Sequence, residues 1–268
     1  MSGRSGCPEQ DKIGDELMTS PWRLVTLVAA VLLAAGCSTT VAGTAQPAPS
    51  HVTPRLLTGQ TITRVLLGRS ALSLIVKQPL EIDSSSPPSF GGPEVLQGAS
   101  SPTDCTGIAV MMEKGVYQSG DVKDVALETW RPHTTDAQVT RVKQGVVSLP
   151  TAADAEALFD RFSAQWQRCE GQTVPMSSGA FGLAIKIHDV QTAASVVAAT
   201  ISMDMGLPGS EGASVPAGRA IGVRGNCLIE VEVDFLESQD ASLQGRGGAN
   251  TSALDIAQVM RDKVLALS

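Results

Sequence analysis

The sequence predicts an α+β fold, an antiparallel β-sheet with packed helices, formed by a single domain over residues 54–268. Three observations lead there. Candidate elements succeed one another as helix, strands, helix, strands, helix, which segregates the two types instead of alternating them as a parallel sheet requires. The gaps between the later strands are of turn length, too short for the crossovers that parallel pairing needs. The composition, 43% apolar and 18% charged with 26 Gly and 15 Pro among 268 residues, belongs to a globular chain of short elements.

In residues 56–77, LLTGQTITRVLLGRSALSLIVK, the apolar positions Leu57, Ile62, Val65 and Leu66, then Leu72, Ile75 and Val76, predict two short helices broken at Gly68, with Ser70 capping the second. Residues 83–103 are dense in Ser, Pro and Gly and read as a surface loop. Residues 125–130 and 139–149 are β-rich and bounded by turn residues, the pattern of strands. The clearest helix follows in residues 150–169: Thr151 and Asp154 suit its N-terminal cap, and Ala155, Leu158, Phe159, Phe162, Trp166 and Cys169 share one face. Four strands are predicted in residues 181–190, 194–205, 218–225 and 226–235. In the last, Ile229, Val231, Val233 and Phe235 alternate with polar neighbours, which predicts one buried and one wet face. A helix from Ser252 closes the chain, with Asp255 completing a capping box and Ile256, Ala257, Met260 and Val264 turned inward.

Ahead of the domain, the longest apolar run is residues 24–35, shorter than the ~20 residues a membrane-spanning helix needs but of the length of a signal-peptide core. Residues 1–17 carry Arg4 and Lys12 against Glu9, Asp11, Asp15 and Glu16, the wrong sign for the basic segment that should precede such a core. A start at Met18 leaves Arg23 in that role, so residues 1–17 read as a start-site artefact and residues 18–36 as the signal peptide. The run ends in LLAAGCSTT, similar to a relaxed bacterial lipobox with Ala34 where leucine is usual, and Cys37 is the thiol to be acylated. The plainer alternative is a secretory signal cleaved near Gly36. Two or three acyl chains anchor stably where one is marginal, so the expected place is the extracytoplasmic face of the cell membrane. Residues 38–52 contain no Lys, Arg, Asp or Glu and almost no large apolar group, and cannot offset the entropy of ordering. Residues 37–53 are thus the lipidated Cys and a flexible linker, reaching roughly 20 Å.

From Cys37 onward, 17 basic and 23 acidic residues leave a balance of −6 with no basic cluster, which excludes a nucleic-acid partner. Aromatics at 3% supply no base-stacking platform. There is no G-x-S-x-G elbow, no H-E-x-x-H and no Gly-rich phosphate loop. His51, His133 and His188 are isolated; only His188, followed by Asp189, can be half of an acid–base pair, and its plainer reading is a strand-end histidine. No His or Cys spacing fits a zinc site. Tyr117 and Trp130 are candidate pocket walls or simply core. Glu230 and Glu232, two apart on one strand face, are candidate cation ligands or a solvated face. The expectation is no enzyme, no cofactor and no metal.

Setting Cys7 and Cys37 aside, Cys105, Cys169 and Cys227 allow three single pairings with one thiol left over. Cys227, beside Asn226, would need an exposed electropositive setting to act as a nucleophile, and an apolar strand makes it inert. The ordered set SPTDC at 101–105, Tyr117 with Ser119 and Gly120, VKQGVVSLPTAADAEALF at 142–159, QWQRCEG at 165–171 and GRAIGVRGNCLIEVEVDF at 218–235 resembles the extracellular sensor domain of the mycobacterial serine/threonine kinase PknH, a domain that also stands alone in mycobacterial lipoproteins. The resemblance covers nearly all of residues 55–266. It implies an antiparallel sheet, a deep ligand-binding cleft and two disulfides. The first maps onto Cys105 and Cys169. The second does not map, because Ala217 stands where a cysteine is expected, and Cys227 is left as a free buried thiol. The function so implied is that of a cell-envelope lipoprotein whose domain binds a small molecule or envelope component, an envelope lipid being one candidate ligand. The alternative is an accessory protein that docks onto an envelope protein partner without any small-molecule ligand.

Overall fold

The computed structural model describes residues 54–98, 104–135, 137–178, 181–193, 195–204, 214–236 and 249–268. The readings placed on residues 1–53, Cys37 and His51 among them, lie outside the described residues, as do residues 99–103 of the expected loop. The domain occupies the unit Thr53–Ser268.

The chain enters through a 3₁₀ helix, Gly59–Val65, and the helix α1, Arg69–Val76. The break falls at Gly68 as expected, but Gly68 itself is the N-cap of α1, and Ser70 lies inside the helix without a capping role. The strands are β1 (Leu80–Ile82), β2 (Ser89–Gly91), β3 (Asp124–Pro132), β4 (Val139–Ser148), β5 (Thr173–Ser178), β6 (Phe181–Ala193), β7 (Val196–Asp204), β8 (Ser214–Arg224) and β9 (Cys227–Phe235). Two one-turn helices, α2 (Thr106–Ala109) and α3 (Lys114–Tyr117), precede β3, and the long helices are α4 (Ala152–Arg168) and α5 (Ala249–Leu267). The fold is α+β, with one antiparallel sheet in the order β1-β3-β4-β9-β8-β7-β6-β5 and β2 beside β1 on the outer side of β3.

Strands β5 to β9 form a meander; two residues separate β5 from β6, β6 from β7 and β8 from β9, whereas residues 205–213, longer than the expected turn, separate β7 from β8. Gly225 takes a left-handed φ of +53° in the two-residue turn between β8 and β9, where a side chain would be strained. Both edges resist further pairing, since β1 and β2 have three residues each and β5 carries Pro175. These three strands escape a reading based on alternation because they are short or polar, and β2 lies in the stretch expected to be loop. That stretch also buries Leu96.

Helix α4 starts as its sequence demands, with the Thr151 hydroxyl accepting from the Asp154 N–H at 3.1 Å. Its apolar face, from Ala155 through Leu158, Phe159 and Phe162 to Trp166, is buried on one side of the sheet together with α2, α3 and Tyr117. Helix α5 covers the other side with Ile256, Ala257, Met260 and Val264, joined there by Leu57, Ile62 and Leu72. The helix begins at Ala249, so Ser252 and Asp255 sit within it rather than forming a capping box. With a helix on each side, β9 is buried on both faces, and the expected wet face does not exist. Two side-chain amides stitch the entering segment to the sheet. Asn226 accepts from the Leu57 N–H at 2.9 Å and donates to the Leu57 and Leu149 carbonyls, and Gln144 accepts from the Leu67 N–H and donates back to the Leu67 carbonyl. Each acts as a local substitute for a strand partner, satisfying backbone groups that burial would otherwise leave unpaired.

Candidate functional site

On the α4 side of the sheet, Glu230, Glu232 and Asp234 project from alternate positions of β9. Directly opposite them in register stand Gly145, Lys143 and Arg141 of β4, and Arg219 of β8 faces Glu232 from the other side. The result is a ladder of ion pairs: Arg141 to Asp234 at 2.6 Å, Lys143 to Glu232 at 2.7 Å, and Arg219 to Glu230 at 2.9 Å and to Glu232 at 3.5 Å. Three cations meet three carboxylates, so the ladder is neutral. Arg219 is 0% exposed, Glu230 3% and Glu232 6%, which corrects both the solvated-face and the cation-site readings of the two glutamates. Among the described residues no cluster of His, Cys, Asp and Glu is arranged to hold a metal ion. Burial pushes the Glu232 carboxyl up, but Lys143 and Arg219 together hold it below the usual glutamate value. Asp234 goes the other way, raised by burial and by the nearby charge of Glu232 against the pull of Arg141.

The ladder also fastens the segment 105–117 to the sheet. Arg219 donates to the Ile108 carbonyl at 2.9 Å and to the Gly107 carbonyl at 3.1 Å, with its guanidinium 5.8 Å from the Trp166 ring centre. Glu230 accepts from the Met112 N–H at 3.1 Å and from the Tyr117 hydroxyl at 2.5 Å. Burial, then the charge of Glu230, pushes the Tyr117 hydroxyl well above its ordinary value, so it stays a donor. Met112 has a left-handed φ of +56°, a strained setting for that side chain, and the Glu230 contact holds it there. Room for it exists because position 145 is glycine: a Cβ there would lie 3.0 Å from the Met112 sulfur. The Cys105–Cys169 disulfide pins the same segment to the end of α4, as the resemblance implies.

Between this segment and the sheet opens a cleft of about 550 Å³. Its lining crosses six neighbouring strands in their spatial order: Met176 of β5, Leu183 and Ile185 of β6, Ile201 and Met203 of β7, Val215 and Ala217 of β8, Glu232 and Asp234 of β9, then Thr140, Arg141 and Lys143 of β4. One wall is Ala109, Val110 and Met111, and Asp83 and Gln97 from the expected loop reach the charged end. The floor is therefore apolar over four strands and ionic over two. Ala217, at the position without its expected cysteine, is part of that floor.

The other sequence candidates fall elsewhere. Tyr117 and Trp130 are both core and do not line the cleft; Trp130 donates its indole N–H to Glu128 at 3.2 Å. His133 is exposed beside Glu81. His188 has Nδ1 at 2.9 Å from Asp189 Oδ2 and Nε2 at 2.9 Å from Ser202 Oγ, the hydrogen bonds of a Ser–His–Asp triad. Strand alternation places this set on the side of the sheet away from Ile187, Ile201 and the cleft. Beside it the β6–β7 ladder breaks between His188 and Gln191, and the two N–H groups there, Asp189 and Val190, are both taken by the Glu170 carboxylate at 3.1 and 2.6 Å, so neither is open to an oxyanion. Cys227 is free and buried on the α5 side, its thiol pushed up to about 12 by burial and then by Asp124. At pH 8, iodoacetamide should alkylate it on the order of a thousand times more slowly than an exposed thiol of pKa near 8.5, and readily in denaturant. Fast modification of the native protein would contradict this placement.

An antiparallel sheet faced by helices on both sides, with a cleft over one face, defines an α+β domain. Residues 57–263 match the model of the PknH-like extracellular domain, and the chain belongs to that family. The crystal structure of the extracellular domain of PknH from Mycobacterium tuberculosis superposes with a TM-score of 0.63 at 19% identity, covering 79% of this chain and 98% of that one. The X-ray structure of an uncharacterized protein from Mycobacterium smegmatis aligns with a TM-score of 0.38 at 11% identity, covering 77% of this chain and 96% of that one. No curated protein matches the chain. Among the described residues no helix is long and apolar enough to cross a membrane.

The ladder and the residues that line the cleft were missed in the sequence, although the resemblance implied a cleft. The one available signal was R-V-K at 141–143 set against E-V-E-V-D at 230–234, complementary charges with the same two-residue period.

Proposed function

We propose that this chain is a non-enzymatic binding module on the extracytoplasmic face of the cell membrane, held there by acyl chains on Cys37, and that its cleft captures a small molecule or envelope component. The observation that carries the reading is the cleft itself: a preformed concave site whose floor is apolar and whose polar groups are gathered at one end, the usual make-up of a small-molecule site. Family membership supports an extracellular setting, and the lipobox-like LLAAGC supports the anchor. The test is native mass spectrometry of protein purified from its own envelope. A stoichiometric adduct that disappears on Ala217→Trp is expected; its absence across repeated preparations would favour the accessory, docking role. Cys37→Ser should move the product from the membrane fraction to the soluble fraction, and unchanged sedimentation would count against acylation.

A further inference from the structure

The cleft has a direction as well as a volume, and the chemistry of its occupant, which presupposes that the cleft is a binding site, can be read from that direction. Apolar and charged residues are not mixed along the lining but sorted by strand. From β5 to β8 the floor carries no charge, and three inter-strand spacings at ~4.8 Å make that part about 14 Å long. Half-buried Met176 and Met203 line it, with buried Met111 above, and flexible thioether side chains adapt to an unbranched chain better than branched ones do. At β9 and β4 the floor turns ionic, yet its cations are already matched: Arg141 is held by Asp234 and Lys143 by Glu232. Asp83 also lines this end, so three carboxylates stand against two cations: an anionic ligand group would meet an excess of negative charge, and a cationic one could reach only Asp83, whose Oδ1 already accepts from Ser85. A hydroxyl group meets neither obstacle, since it can accept from the free N–H groups of Arg141 and Lys143 and donate to the carboxylates at the same time.

We infer that the cleft holds a single-chain amphiphile with an uncharged, hydroxyl-bearing head, its chain lying across β8 to β5 and its head at the Arg141–Asp234 and Lys143–Glu232 pairs. The site is polarised by the strand order, and the ligand has one orientation in it.

Calorimetry and native mass spectrometry of the purified protein with 1-monododecanoylglycerol, below its critical micelle concentration, are expected to give one bound molecule. Dodecanoate, with the same chain and a charged head, is expected to bind at least tenfold more weakly, and glycerol not at all. Met203→Trp fills the chain end at a half-buried position, and should shift the preferred chain length toward octanoyl with the circular dichroism unchanged; Met176→Trp is a second variant for the same readout. Binding of dodecanoate as tight as that of the monoacylglycerol, or a chain-length preference that neither tryptophan moves, overturns the assignment. If a polar compound fills the cleft and no monoacylglycerol does, this inference fails while the binding reading stands. If neither any of these probes nor any co-purifying compound occupies the cleft, both fail.

Discussion

Replacing Arg219 with methionine is expected to lower the unfolding free energy by about 3–5 kcal/mol, because it strips the guanidinium from buried Glu230, which is left without a cation, while Glu232 keeps only Lys143. It also removes donors from the Gly107 and Ile108 carbonyls. At roughly 2–4 °C per kcal/mol for a domain of this size, the melting temperature should fall by about 6–20 °C. The size of the effect does not mean that the ion pair is worth that much, since most of it is the cost of the charges left behind. Adding Glu230→Gln to Arg219→Met should therefore recover part of the loss, since it removes the uncompensated charge, although the amide oxygen can keep only one of the two bonds that Tyr117 and Met112 now make to separate carboxylate oxygens. If the double variant is no more stable than the single one, unpaired charge is not the cause. If Arg219→Met alone leaves the melting temperature within 2–3 °C of the parent, the buried ladder itself is in error.

The second large effect is on the cross-link. Cys105 and Cys169 are separated by 64 residues, and on the chain-entropy model opening that loop costs about 4 kcal/mol. The double serine variant, compared with the oxidised parent by chemical denaturation, should show a loss of that order. Non-reducing peptide mapping should join the two cysteine peptides and leave Cys227 alkylatable only after unfolding; a Cys227 cross-link would refute the pairing. Arg219 grips Gly107 and Ile108 within three residues of Cys105, so the two fastenings act on one segment. Combining the substitutions should give a loss that departs from the sum of the separate ones by more than about 0.5 kcal/mol, the sign of residues that share a structural unit.

Elements that carry their own signal were legible in the chain. Helix α4 has its cap, its period and its apolar face in consecutive residues, and the structure returns all three. The β6–β7 and β8–β9 hairpins were legible for the same reason, because turn-length gaps admit few other pairings, while the longer run 205–213 between β7 and β8 carries no such signal. Local signals did not reach β1, β2 and β5, which form because a longer neighbour offers them a free edge. They also misread the polar residues of β9. Glu230, Glu232 and Asp234 alternate with valine and isoleucine as a wet face would, and nothing within the strand says that Arg141, Lys143 and Arg219 stand beside them.

The sequence by itself determined the α+β class, the order of the main elements and the inward face of α4, and family resemblance added the cysteine pair. These are properties of period, spacing and residue type over a few turns of chain. Only the tertiary structure decided that three carboxylates are buried and matched, that Met112 is held strained over Gly145, and that the cleft is sorted from apolar to ionic along the sheet. The reason is that β9 pairs with β4 across an intervening run of about 80 residues. Whether a carboxylate is solvated or matched depends on which side chain that distant pairing sets opposite it, a register that no local stretch of sequence contains.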